Sequence, residues 1–332
     1  MGGETANIAE IASAISKDIF RNFGWSLRPP RDQNFPCHDK GHCGSGKSKR
    51  PKTQHPADAV FFYEDPYLGK QIYLHTDLKS YAKNSITNMS LRKAFVSLAM
   101  TLECAQSSDT WRERYLTDPD EKHEVRGLLF VHNHDQGYAS SFQEALLKMN
   151  VHNLPVARGS LLHFLGPQDI QRLYTVANDM ARLRDSGELN RDCTFYYPDL
   201  VMKRRHGDGW NQPATIESLT GPYLIIKHKK CENADEGYVI YYNREGDSVE
   251  EFEYFLDSLS RFQMLERDQT IRVRVTNSAT QDLKSIFDQA KHRYVKAWGF
   301  LRDRQEIVEN ISISRVTSVA TTYNPSEIGW RP

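Results

Sequence analysis

Apolar residues recur along this chain at two periods, and the change from one to the other outlines its elements. Ile8, Ala12, Ile15, Ile19 and Phe23 stand three and four apart, which predicts a helix over about 5–22 with Gly24 placed to cap it. The polar, proline- and glycine-bearing stretch 28–55 follows and predicts a loop insertion. Two apolar runs, Ala59-Val-Phe-Phe-Tyr63 and Gln71-Ile-Tyr-Leu-His-Thr-Asp-Leu-Lys-Ser-Tyr81, then read as strands joined by a turn. A helix over 90–106, a buried-type strand over 125–131, a helix near 141–149 and an apolar segment over 160–166 come next. Pro167 opens an amphipathic helix through Ile170, Leu173, Val176, Met180 and Leu183, since proline suits a first helical turn. Helices alternating with short apolar strands imply an α/β architecture with a mixed sheet flanked by helices.

Residues 203–213 hold few apolar side chains and separate this region from the last third. There the pattern predicts strands over 222–229 and 237–243, a helix over 248–264, a strand over 270–276, a helix over 278–298 and a strand over 310–322. That order reads as a smaller α+β domain, of the split-βαβ kind. A length of 332 residues suits two domains, 1–205 and 206–332.

Composition narrows the classes. Forty-three basic residues balance 43 acidic ones, so net charge gives no reason to expect a nucleic-acid partner, and only local clusters could. Five scattered cysteines point to a reducing compartment rather than a disulfide framework. No apolar run approaches the roughly 20 residues that span a bilayer, and the first residues lack a signal-peptide pattern. The expectation is a cytoplasmic protein without membrane contact.

The candidate chemistry lies on the second apolar strand. Asp77 and Lys79, two apart, share one face of it while Leu78 points the other way. Asp58 opens the strand before it. An acid-x-Lys triplet is weak evidence by itself, and three occur: Asp77-Leu-Lys79, Asp120-Glu-Lys122 and Asp282-Leu-Lys284. The second falls in a polar turn and the third at a helix start, where residues two apart diverge. The first alone sits on an apolar strand beside another acid.

In these residues the chain resembles the PD-(D/E)xK nuclease superfamily, with its restriction-endonuclease-like fold. The matching pieces are a first helix carrying Glu10, Asp58 at a strand start, Asp77-Leu-Lys79 on the next strand, and a helix after it. The family often has proline directly before the first acid, whereas here the order is Pro56-Ala57-Asp58. The resemblance implies metal-dependent hydrolysis of phosphodiesters. Asp58, Asp77 and the Leu78 carbonyl would hold Mg²⁺, for which Mn²⁺ can substitute. Lys79 would position the attacking water, and Glu10 would be a further site residue, although its angle on the helix sets it nearly opposite the apolar stripe. It also implies DNA as substrate, with RNA left open, a role in restriction or antiphage defence, and work as a homo-oligomer or with a companion protein.

Other motifs compete. Lys47, Lys49, Arg50 and Lys52 precede Asp58 and are candidate phosphate contacts, as is His75 on the Asp77 face, where a packed histidine is the simpler reading. Gly41-His-Cys-Gly-Ser-Gly-Lys-Ser48 spells a P-loop, but no buried strand precedes it and prolines block a following helix, which disfavours a nucleotide hydrolase. Cys37, His38, His42 and Cys43 are potential Zn²⁺ ligands. Their adjacent Cys-His pairs are awkward to aim at one ion, so a plain loop is favoured, with Cys37, His42 or Cys43, and His55 left as an alternative. His132 and His134 read as a polar strand end. A catalytically inactive nucleic-acid-binding or scaffold subunit is the alternative reading of the whole chain.

Overall fold

The computed structural model describes residues 2–43, 50–138, 146–149, 154–198, 210–276, 280–317 and 323. The chain divides into two compact units: Met1–Asp65 and Gly69–Tyr174, joined by Tyr323, form the first, while Pro66–Leu68 and Thr175–Ala320 form the second. The division falls earlier than the boundary expected at 205, because Cys193–Phe195 pairs into the sheet of the second unit.

In the first unit, helix α1 (Gly2–Asp18) leads into a short 3₁₀ turn, Phe20–Phe23. Gly24, at φ 81°, ends it in the left-handed conformation that glycine adopts without strain. Strands β1 (Ser26–Arg28), β2 (Gln33–Pro36), β3 (Gln54–Ala57), β4 (Ala59–Asp65) and β5 (Lys70–Tyr81) follow. Helices α2 (Asn88–Ser107) and α3 (Asp109–Tyr115) then lead to β6 (His123–Asn133) and β7 (Leu162–Leu165). The sheet order is β1-β4-β5-β6-β7, antiparallel across the first two pairs and parallel across the last two.

Alternation along β4 and β5 divides the core between two faces. Phe61 and Tyr63 point to the α1 side, where Phe20 meets Phe61 edge-on at 4.7 Å and Trp25 stacks on Tyr63 at 5.1 Å. Val60 and Tyr73 point to the α2 side and pack with Leu102, Ala105, Trp111 and Tyr115. A capping box between Thr87 and Ser90 fixes the start of α2. β5 and β6 pair over eleven positions from Gln71↔His123 to Tyr81↔Asn133. Lying inside the sheet and covered on both faces, they read as near-continuous apolar runs.

Part of the stretch expected to be a loop, 28–55, is ordered. β2 and β3 form a separate two-stranded antiparallel sheet, with Phe35 opposite His55 and Asn34 opposite Pro56. Each has a single strand neighbour, so Pro36 and Pro56 fit there without breaking a central ladder. The P-loop-like run lies largely outside the described residues, as do Lys47, Lys49 and most of the helix expected near 141–149.

In the second unit, helix α4 (Pro167–Asp185) contributes its part from Thr175 on, followed by β8 (Cys193–Phe195), α5 (Ile216–Thr220), β9 (Tyr223–His228) and β10 (Gly237–Tyr242). Then come α6 (Val249–Arg261), β11 (Thr270–Val275), α7 (Leu283–Trp298), α8 (Arg302–Glu309) and β12 (Ser312–Arg315). The order β12-β11-β10-β9-β8, antiparallel across β8-β9-β10 and parallel across β10-β11-β12, is not a split βαβ. It repeats the strand directions of the first sheet. α8 escaped the sequence pattern because Val308 is its one buried residue, and the last strand is shorter than expected.

A buried ion pair anchors this unit. Arg274 donates twice to Asp179, once at 2.7 Å, and the Tyr241 hydroxyl donates to the same carboxylate at 2.9 Å. Arg274→Leu leaves Asp179 only its longer contact to the half-exposed Arg182, at 3.4 Å, and costs about 3 kcal/mol, whereas Asp179→Leu/Arg274→Leu together cost less than either single change. Urea unfolding followed by circular dichroism reads both; equal losses for the single and double variants would contradict the pairing.

Candidate active site

Strand parity brings the three expected residues together. Asp58 shares the α2-side face with Val60, while Asp77 and Lys79 continue the Tyr73–His75 face of β5. In the antiparallel register Ala59 opposes Thr76 and Val60 opposes His75, and one further step sets Asp58 against Asp77. The Leu78 amide donates to Asp58 Oδ2 at 2.9 Å. The Lys79 ammonium pairs with Asp77 Oδ1. Asp58, Asp77, His75, Thr76, Pro56, Leu98 and Thr101 line one small cavity of about 10 Å³.

Over residues 1–169 the chain matches the family described as the GAPS4 protein PD-(D/E)XK nuclease domain. The chain belongs to that family. Searches among curated proteins and among solved structures returned no match. The first unit is therefore a PD-(D/E)XK nuclease domain on a mixed sheet flanked by helices, and such nucleases typically use divalent metal ions.

The electrostatics of this nuclease domain suit a cation. Asp58 and Asp77 are 6% and 8% exposed. Burial, reinforced by the Asp77 charge, pushes the Asp58 carboxyl up to about 7, against the opposing pull of Lys79 and the Leu78 amide. Burial would lower the Lys79 ammonium, but the Asp77 carboxylate, aided by Asp58, holds it above the usual lysine value. Asp77 Oδ1 is buried with no hydrogen bond beyond that ion pair. When both acids are ionised, one ammonium leaves a negative charge uncompensated, and hard oxygen donors of this kind fit a divalent cation. Asp58, Asp77 and the Leu78 carbonyl are the residues that would hold it.

The remaining candidates are distributed unevenly. Glu10 is exposed on α1, and no described contact joins it to this group. His75 is a packed histidine rather than a phosphate contact: it is 1% exposed, its Nδ1 accepts from Trp111 Nε1 at 3.1 Å and its Nε2 donates to the Pro56 carbonyl at 3.2 Å. Burial lowers it to about 4, so it stays neutral. Lys52 is half-buried beside α2, 3.3 Å from Ser97 Oγ, with its ammonium lowered by burial while Asp77 attracts it. Arg50 is exposed. His132, at the end of β6, donates from Nε2 to the Tyr323 carbonyl at 2.8 Å, which fits a structural strand end. Thr101 escaped sequence reading because only the approach of α2 to the β5 face brings it to the cavity.

Asp58 binds its proton more tightly in the folded than in the unfolded chain. The folded state therefore holds more protons between about pH 4 and pH 7, and stability falls as pH rises through that window. In magnesium-free buffer, Asp58→Asn should gain about 2–4 kcal/mol on wild type between pH 4 and pH 8, read by urea unfolding with tryptophan fluorescence. A difference independent of pH would show that the acids are not strained.

Proposed function

We propose that the chain is a Mg²⁺-dependent nuclease that hydrolyses phosphodiester bonds, with DNA as its preferred substrate. The observation that supports this most is that Asp58 and Asp77 line one small buried cavity, with Lys79 paired to Asp77, in a domain belonging to the PD-(D/E)XK nuclease family. Asp58, Asp77 and the Leu78 carbonyl bind the ion. A bound Mg²⁺ supplies charge stabilisation at the phosphoryl oxygens and lowers the pKa of a water. Lys79, kept cationic by Asp77, orients the attacking water and donates to the phosphoryl group as charge builds there. The attack is in line: a water oxygen–phosphorus bond forms as that water gives up a proton to solvent, the phosphorus–ester oxygen bond breaks, and the departing oxygen takes a proton from solvent.

Lys52 and Arg50, with Lys47 and Lys49 ahead of them in sequence, supply cations for backbone phosphates without reading base sequence. A nuclease harms its own cell unless restrained, so restriction or antiphage defence with a companion protein or self-association completes the proposal. Trp298 and Leu301 of the second unit, 59% and 84% exposed, offer apolar surface for such a partner.

Plasmid, linear DNA and RNA incubated with Mg²⁺ or Mn²⁺ test the reading. Wild type should cut DNA only when metal is added. Asp77→Ala and Lys79→Ala should each lose about 10²-fold or more in rate, the scale of one positioned catalytic group. Cutting that survives Asp77→Ala undiminished would overturn the site.

A further inference from the structure

A second cluster of ligand atoms lies in the first unit, away from the two acids. Cys37 and Cys104 place their sulfur atoms 3.8 Å apart. His42 Nδ1 stands 3.6 Å from Cys37 Sγ, 3.4 Å from Cys104 Sγ and 3.3 Å from His55 Nε2. The four side chains offer ligand atoms that all lie within 4.8 Å of one another, and three of the four are buried. A tetrahedral zinc ion, with bonds of about 2.3 Å to sulfur and about 2.0–2.1 Å to nitrogen, sets its ligand atoms about 3.8 Å (S to S), about 3.6 Å (S to N) and about 3.3 Å (N to N) apart. The four separations given above agree to about 0.2 Å, and the two from His55 Nε2 to the sulfurs lie within 4.8 Å. We propose that Cys37, His42, His55 and Cys104 hold a structural zinc ion.

The surroundings select the ligand atoms. The Thr101 hydroxyl gives its single proton to the Ser97 carbonyl at 2.8 Å, so at 3.1 Å from His55 Nδ1 it can only accept. That places the His55 proton on Nδ1 and leaves the Nε2 lone pair facing the cluster. His42 Nε2 faces the Glu103 carboxylate at 3.3 Å and Asp39 at 3.7 Å, which places its proton there and frees Nδ1. Two imidazole lone pairs thus confront each other across 3.3 Å beside two thiols, an arrangement that a cation between them resolves. Hydrogen bonds donated by the outer ring nitrogens to a carboxylate or hydroxyl oxygen are the usual support of zinc-bound histidine. Two sulfurs and two imidazoles suit zinc, and four protein ligands leave no open position for chemistry. The sulfurs are too far apart for a disulfide, which needs about 2.05 Å.

The sequence pattern leaves Cys37, His42 and His55 as an alternative, and only the fourth ligand, Cys104 on α2, lies beyond its spacing. His38 is exposed, and neither it nor Cys43, whose backbone pairs with that of Pro51, belongs to the cluster. The ion would staple the β2–β3 hairpin to α2. His55 stands three residues before Asp58 on the same strand run, and Thr101 also lines the Asp58–Asp77 cavity, so the staple would steady the strand that presents the first acid.

The full chain, purified without chelators after growth in zinc-containing medium, tests the assignment by elemental analysis. Wild type and Asp77→Ala should each hold about one zinc per chain through dialysis. Cys104→Ser and Cys37→Ser should lose it, while Cys43→Ser keeps it. Since a ligand variant can fail to fold, wild type loaded with Co²⁺ supplies a second readout: intense tetrahedral visible bands with a sulfur-to-cobalt charge-transfer band. Less than about 0.1 zinc per wild-type chain, full zinc in Cys104→Ser, or a cobalt spectrum without the sulfur band would each overturn the proposal.

Discussion

Two carboxylates buried side by side are the constraint around which the first unit is built. The β4–β5 register sets Asp58 against Asp77, the packing of α2 closes over them, and Lys79 supplies one positive charge for two acids. Burial first, and the neighbouring Asp77 charge second, keep the proton on Asp58 up to about pH 7. Such a pair is costly for a fold that merely needs to be stable. It fits the proposed role of these acids in a nuclease domain whose family typically uses divalent metal ions.

The elements around the acids act to hold that repulsion in one geometry. β5 and β6 lie side by side over their whole length, so Asp77 and Lys79 project from a strand with little freedom to twist away. His75, held by Trp111 and the Pro56 carbonyl, ties β5 to the segment just before Asp58. The proposed zinc would work on the same segment from its other side, through His55 and Thr101. A rigid scaffold around a strained pair of groups keeps the binding geometry formed before the ligand arrives.

Much of this was legible from residue order. Asp58, Asp77 and Lys79 could be picked out because strand parity is strict: residues two apart share a face whatever the rest of the fold does. The duplicate Asp282-Leu-Lys284 was set aside for the matching reason, and it indeed borders the start of α7. What stayed hidden depends on contacts between distant segments. Cys104 and Thr101 come to their places only when α2 packs on the sheet, and Phe35 earns a strand for its neighbours only by being buried. β8 could not be assigned to the second unit until its pairing with β9 was known. α8, nearly all polar, carries no period to read.

The most direct test of the account is the location of a bound ion. Crystals grown with Mn²⁺ and measured for anomalous scattering should show a peak within metal-bonding distance of one oxygen each from Asp58 and Asp77, absent in crystals of Asp77→Asn. A peak placed elsewhere, with Asp58 and Asp77 touching no metal, would contradict it.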